Sequence, residues 1–237
     1  MQDGSKKRKA VSMSEFPSIK VIYFNIEGAA EKIRLALSYY GIPFEDVRPG
    51  RDEFSAMKAK LPNGQLPVVE IDGEPFTQSV ALARYIAKLG NGSLYSTDPK
   101  KALHIDMWMD IHLDDMRDFR TALYMGMRPK LLGHPEDYHT TEKGKAAVKE
   151  ARENYIAETL PKYMAQVTAQ LANSGGPFLF GSELSIADLC WLCRFRYFSK
   201  GIADHIPVDC LDAYPEVCGY RDAMMAVPAV AKWYETH

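Results

Sequence analysis

Two short stretches hold the residues with the plainest capacity for ligand chemistry. In Asn63-Gly-Gln-Leu-Pro-Val-Val-Glu70 a proline stands at the mouth of a β run. Proline fixes its own φ and lacks an N–H, so the backbone groups of Leu66, just before Pro67, are left free to face a ligand. In Thr77-Gln-Ser-Val80, Ser79 opens a predicted helix. The free N–H groups and dipole of such a helix start favour an anion. With Asp72-Gly73 as a turn between 68–71 and 74–76, the two stretches predict a hairpin that presents a pairing edge for a peptide backbone beside a pocket for a carboxylate.

Two further clusters are weaker. Asp106, Asp110, Asp114 and Asp118 recur at i, i+4 spacing, with Asp115 beside them. Such a run reads as a solvated acidic face, with a divalent ion as the alternative; no metal is assigned to it. Cys190-Trp-Leu-Cys193 lies inside an apolar helical pattern. It reads as buried structural cysteine, and no second ligand pair stands at zinc spacing. The histidines form no catalytic pair, and glycine-rich phosphate loops are absent from the sequence.

The elements that must position these residues follow from pattern. Residues 18–24 alternate and are rich in β-formers, predicting a buried strand. Residues 25–30 form a turn containing Gly28. Apolar residues at 33, 36, 37 and 40 make a helical stripe over 31–40, ended by Gly41 with Pro43 beyond it. Residues 44–48 predict a second strand, giving a β-α-β unit with a right-handed crossover. A short helix over 54–60, the hairpin and a helix from Ser79 to about residue 89 complete the order β-α-β-α-β-β-α. Tyr23 then falls at the end of the first strand, where pattern alone makes it a half-buried strand tyrosine.

From about residue 91 the character changes. Residues 91–99 are a turn-rich linker, and the remainder is helical. One long helix is predicted from 100 to about 124. An irregular stretch follows over 129–139. A second long helix runs from 141 to about 172, with Pro161 as a break point. Ser185-Ile-Ala-Asp188 is a capping box in its Asp form, opening an apolar helix to about residue 198. Pro215 and Pro228 each begin a further helix. The predicted division is a disordered tail over 1–17, an α/β domain over 18–90, a linker over 91–99 and an all-helical domain over 100–237.

Composition narrows the function classes. With 46% hydrophobic and 25% charged residues, the 237-residue chain has the balance of a globular protein with a substantial core. A net charge of −2 supplies no global field for nucleic acid or an anionic membrane. No apolar run reaches the length of a membrane span, and no signal peptide is recognisable. Four cysteines confined to the last quarter do not staple the chain, which fits a reduced, cytoplasmic setting. The basic cluster Lys6-Lys-Arg-Lys9 reads as part of a solvated tail.

Several segments together, in order and spacing, resemble the cytosolic glutathione transferases. Tyr23-Phe-Asn-Ile-Glu-Gly-Ala-Ala-Glu31 with Ile33-Arg34 is similar to the family's Tyr-Phe-Asn…Gly-x-Ala-Glu-x-Ile-Arg segment. Gln65-Leu66-Pro67, Thr77-Gln-Ser-Val-Ala-Leu-Ala-Arg-Tyr-Ile86, Ser185-Ile-Ala-Asp188 and Val227-Pro-Ala-Val-Ala-Lys-Trp233 resemble its other marks. The resemblance covers about 19–237. It is nearest the sigma-type group, which includes invertebrate transferases, lens S-crystallins and the glutathione-dependent prostaglandin D synthase. It implies a thioredoxin-like first domain, a helical second domain and a homodimer.

The resemblance also implies roles for single residues. Tyr23 would hydrogen-bond the sulfur of glutathione, the co-substrate. A free thiol has a pKa of about 8.5, and an O–H donated to sulfur stabilises the reactive thiolate. Leu66 would pair its backbone with the cysteinyl unit as an added strand, held by a cis Pro67. Gln78 and Ser79 would hold the γ-glutamyl carboxylate. Lys58 and Phe54 match positions at the glycine end, with Phe54 where tryptophan is common and Gln65 where lysine is common. Asp115 matches an aspartate that reaches across the dimer to the glutathione ammonium. Phe24, Met116, Arg120 and Tyr124 would line the site for a hydrophobic electrophile. The sequence departs from the sigma pattern at Glu27 and Ala29, where arginines are usual. The loss of that charge, with the Glu27 carboxylate close by, predicts a raised thiol pKa and slower thiolate formation. The reading is therefore a glutathione transferase conjugating hydrophobic electrophiles. Its alternatives are an isomerase or peroxidase of the prostaglandin D synthase kind and a non-catalytic, crystallin-like binding protein.

Overall fold

The computed structural model describes residues 16–237. The Lys6–Lys9 cluster and most of the predicted tail lie outside the described residues. Four strands form one sheet in the order β2-β1-β3-β4: β1 Ile19–Ile22, β2 Glu45–Val47, β3 Val68–Ile71 and β4 Glu74–Phe76. β2 lies parallel to β1, with Lys20 opposite Glu45. β3 is antiparallel to β1, with Ile22 opposite Val68, and β4 is antiparallel to β3. Val21 and Val69 face each other across the ladder and are fully buried. They join one core cluster with Ile33 and Leu37 of α1 (Glu31–Tyr40) and Ala83 and Ile86 of α3 (Ser79–Leu89).

Local chemistry sets the ends of these elements. Gly41 closes α1 at φ 65°, where a Cβ would be strained. Asp72 and Gly73 both take positive φ, the tight two-residue hairpin geometry. The Asp72 side chain accepts the Ser18 N–H at 2.9 Å and fixes the turn to the start of β1. α2 (Arg51–Met57) begins earlier than its apolar pattern suggests, because the Glu53 carboxylate accepts the Gly50 N–H at 2.7 Å. A 3₁₀ turn, Lys58–Lys60, continues it.

The rest is helical. The predicted helix from residue 100 is two: α4 (Pro99–Asp118) and α5 (Arg120–Met127), meeting at the buried Phe119. Two short 3₁₀ turns occupy the stretch read as irregular. α6 (Glu142–Asn154) runs through a π turn, Tyr155–Thr159, into α7 (Leu160–Ser174). Pro161 therefore sits in the first turn of α7, where its missing N–H is tolerated. α8 (Ile186–Ser199) is the centre of the helical domain, with Ile186 to Leu192 wholly buried. Its capping box forms: Asp188 accepts the Ser185 N–H at 2.7 Å and also takes bonds from Leu179 N–H and Tyr220 O–H. α9 (Pro215–Met225) and α10 (Pro228–Thr236) follow. α1 packs against α3, α8 and α10, so the turn that leads into α1 is set by both domains.

Candidate active site

Tyr23 leaves β1 with its N–H bonded to the Val47 carbonyl at 3.0 Å. Its ring turns back over the loop that follows. The Ala29 N–H donates to the Tyr23 hydroxyl oxygen at 3.1 Å. Gly28, at φ 44°, makes that approach available: a Cβ there would lie 2.6 Å from the Tyr23 hydroxyl. Among the described residues the hydroxyl donates to no acceptor, so its proton is free for a ligand. An oxygen that already accepts a hydrogen bond is the better donor.

Arg34 stabilises this loop from beneath. It is fully buried. Its guanidinium donates to the Ile26 carbonyl at 2.8 Å and the Phe24 carbonyl at 3.4 Å, and pairs with Asp46 at 3.0 Å. It also stands 5.9 Å from the centre of the Tyr23 ring. Arg48 extends the network, bonding Asp46 at 2.7 Å and the Asn25 side chain at 2.7 Å. Both arginines hold the loop rather than a ligand. The motif showed Arg34 as a family mark but gave no sign of this positioning role.

Glu27 behaves differently from the expectation. Its carboxylate turns toward α8 and takes two bonds from Arg196, at 3.1 and 2.7 Å, and a third from Lys200. Burial alone would raise its pKa, but the Arg196 and Lys200 hydrogen bonds and charges outweigh burial and hold it below the usual carboxylate range. The Arg196 guanidinium is itself 3.4 Å from the centre of the Tyr234 ring. Glu27 is thus a compensated interdomain contact. It does not stand as a free negative charge against the thiol, contrary to the expectation that its carboxylate raises the thiol pKa.

The hairpin brings the next group together. The Leu66–Pro67 peptide bond is cis. Among the described residues no backbone hydrogen bond occupies the N–H or C=O of Leu66. Gln78 enters α3 at φ 73°, an uncommon conformation for a residue with a side chain, and no side chain caps the helix start at Ser79. The first-turn N–H groups therefore stay open. Gln65 is extended and exposed, next to Gly64. The Lys58 side chain runs along Gly64, 3.5 Å from where a Cβ would be, with its ammonium 6.0 Å from the Phe54 ring centre. Phe54 packs edge-on to Phe24 at 5.2 Å, and Phe24 lies 5.7 Å from Tyr23. Tyr23, Phe24, Phe54, Lys58 and Gln65 thus border one region. Met116, Arg120 and Tyr124 recur at four-residue spacing on α4 and α5, with the Arg120 guanidinium 5.6 Å from the Tyr124 ring.

Comparison with known proteins bears on this arrangement. Residues 19–88 match the family model described as Glutathione S-transferase, N-terminal domain. Residues 136–237 match that described as Glutathione S-transferase, C-terminal domain. A glutathione S-transferase of Drosophila melanogaster is 31% identical over 92% of this chain and 78% of its own. The chain belongs to the glutathione transferase family. The human hematopoietic prostaglandin D synthase is 29% identical, over 92% of this chain and 95% of its own. In fold, the chain is similar to the monomeric Na-GST-3 of the hookworm Necator americanus. That glutathione transferase superposes with a TM-score of 0.72 at 30% identity, over 93% of this chain and 97% of the other.

Within this transferase fold one expected ligand contact is overturned. Asp115 is fully buried. It pairs with Arg194 at 2.6 Å and accepts the Tyr155 hydroxyl. Arg194 lies between the Phe119 and Phe198 rings, at 4.0 and 4.2 Å. A carboxylate committed to a buried arginine and phenol has no path to a ligand on another chain. The rest of the acidic run is divided: Asp106 and Asp110 pair with Arg84, Asp114 with Arg117, and Asp118 accepts the Tyr163 hydroxyl at 2.7 Å. Among the described residues no group of His, Cys, Asp and Glu could hold a metal. Cys190 and Cys193 are free thiols inside α8, and burial pushes the Cys190 thiol up to about 11.

Proposed function

We propose that the chain binds glutathione along the hairpin, and that the Tyr23 hydroxyl donates to its sulfur and holds it as thiolate for attack on a hydrophobic electrophile. The carrying observation is the Tyr23 oxygen accepting the Ala29 N–H at 3.1 Å with its own proton uncommitted. Leu66 pairs with the cysteinyl backbone. Gln78 and the open start of α3 at Ser79 take the γ-glutamyl carboxylate. Lys58, beside Phe54 and Gln65, meets the glycine carboxylate. The acceptor sits between Phe24 on one side and Met116, Arg120 and Tyr124 on the other. Catalysis is then thiolate stabilisation plus proximity. The division at 91–99 gives the first domain to glutathione and sets the acceptor between the two.

We place the protein in the cytoplasm. Among the described residues no helix is long and apolar enough to cross a membrane. A homodimer is supported by the exposed apolar Phe76, Leu103 and Met107.

The test is conjugation of glutathione to a chlorinated nitroaromatic by wild type and Tyr23→Phe. Loss of one oriented donor predicts a fall in kcat of about 10²-fold. Full activity in Tyr23→Phe overturns the assignment. Retention on glutathione resin without turnover favours a binding protein of the crystallin kind. The likeness to a prostaglandin D synthase supports a second reading, a glutathione-dependent isomerase or peroxidase activity of that kind using the same thiolate, assayed in parallel.

A further inference from the structure

Lys32 is a cation in an unfavourable place. It lies in the first turn of α1, where the helix dipole opposes positive charge. It is 5% exposed. Burying an ammonium costs heavily unless an anion compensates it. Among the described residues Lys32 forms no ion pair and makes one side-chain hydrogen bond, to the Ala29 carbonyl at 2.9 Å. An ammonium has three N–H donors, so two are uncommitted.

Nothing packed around it supplies the counter-charge. On its own segment Glu27 is held by Arg196 and Lys200. Glu31 accepts the Trp233 indole N–H at 2.7 Å and stands 3.6 Å from Arg34. From α4 the facing group is His112, which burial, with Lys32 and Arg194 adding to it, keeps neutral. From α8 the facing groups are Cys190 and Cys193, whose thiols burial holds protonated. α3 adds Arg84, already paired with Asp106 and Asp110, and α10 adds Tyr234, whose phenol burial keeps neutral, so among the described residues no carboxylate pairs with this ammonium.

The Ala29 residue that accepts from Lys32 through its carbonyl donates through its N–H to the Tyr23 hydroxyl at 3.1 Å. With ordinary backbone dimensions the ammonium lies within about 10 Å of that hydroxyl. We propose that Lys32 supplies the positive charge that holds the ligand's sulfur as thiolate at Tyr23, replacing the arginine the neighbouring positions lack. This rests on the reading of Tyr23 given above. The S–H bond breaks with its electron pair staying on sulfur, and the proton leaves to solvent. Lys32 acts through the Ala29 turn and the electric field, and is a positioning residue rather than one that touches the ligand.

At about 10 Å and an effective dielectric near 20, one unit charge changes a thiol equilibrium by about tenfold. The experiment follows the ultraviolet thiolate absorbance of glutathione bound to the full-length protein as pH is raised. Lys32→Met removes the charge and keeps the length. Lys32→Gln removes the charge and keeps a hydrogen bond to Ala29. In both, the thiolate midpoint is expected to rise by about one pH unit. The kcat near neutral pH falls by about tenfold and recovers at alkaline pH, with the KM for glutathione nearly unchanged. Lys32→Met should also be at least as stable to urea as wild type, since an uncompensated charge has left the interior. A structural lysine would give the opposite stability change and no midpoint shift. Midpoints equal to wild type in both variants overturn the proposal and leave the Tyr23 reading standing. A wild-type midpoint kept by Lys32→Gln but lost by Lys32→Met assigns the effect to the hydrogen bond and overturns the charge. Wild-type protein with no thiolate below the free-thiol range overturns both readings together.

Discussion

Replacing Gly28 with alanine puts one methyl group where the Tyr23 hydroxyl now lies. The added Cβ would stand 2.6 Å from the hydroxyl oxygen, 2.9 Å from Cε1 and 3.1 Å from Cζ. Ordinary contact begins near ~3.5 Å, so the hydroxyl must retreat by about 1 Å. The backbone at φ 44° adds a cost of about 1–2 kcal/mol for any residue with a Cβ. The retreat also loosens the bond from the Ala29 N–H. A misplacement of this size costs a catalysed step up to about 10²-fold, or about 2.7 kcal/mol of barrier. The hairpin that would bind glutathione is a separate element, so the KM for glutathione should change little. The assay is steady-state conjugation by wild type, Gly28→Ala, Tyr23→Phe and the double variant. Because both changes act on one hydroxyl, the double variant should match Tyr23→Phe alone. A Gly28→Ala protein within twofold of wild-type kcat refutes the reasoning. So does a double variant in which the two losses multiply.

Two further outcomes concern the interior. Arg194→Met leaves the Asp115 carboxylate buried without its cation, and urea unfolding should show a loss of about 3–5 kcal/mol; a loss under about 1 kcal/mol would mean the pair is not compensated as drawn. His112 is buried with its pKa well below the ordinary 6.5, first by burial and then by the Lys32 and Arg194 charges. Its unfolded form binds a proton that the folded form does not, so stability is complete above about pH 6.5 and declines as pH falls toward the folded value. His112→Phe should flatten this acid limb in thermal unfolding followed from pH 7 to pH 5, and an unchanged slope would rule His112 out as its source.

The hairpin was legible because its residues are forced by backbone chemistry. Asp72-Gly73 tolerates two positive φ values, and Pro67 leaves Leu66 without a partner. The start of α2 was missed by three residues, although Gly50 followed by Glu53 carries its signal. Asp115 was misread for a clear reason. The resemblance assigns it to a ligand across a dimer and its acidic neighbours suggest a solvated face, yet Trp108, Met109, His112, Asp115 and Phe119 form a single buried stripe along α4 and into its end. A carboxylate in that stripe demands a buried cation, and Arg194 inside the apolar α8 is the matching anomaly. The pairing crosses 79 residues of sequence, beyond any local pattern. The same holds for Glu27, whose partners lie 169 and 173 residues away. Local grammar reveals which groups sit near Tyr23. Which of them are neutralised depends on contacts made by the other domain.

The bond from Trp233 to Glu31 spans 202 residues and ends on a carboxylate that is 2% exposed. Translation delivers Glu31 202 residues before Trp233. At a synthesis rate of about 5–20 residues per second, the acid waits about 10–40 s on the ribosome before its indole partner emerges. The thioredoxin-like half can pair its strands during that interval. It cannot satisfy the Glu31 carboxylate, because the indole that donates to it belongs to α10. The turn after Tyr23 is therefore completed only once α10 has been made, and a ribosome stalled short of α10 carries a nascent chain with its hairpin paired and Glu31 still without its indole.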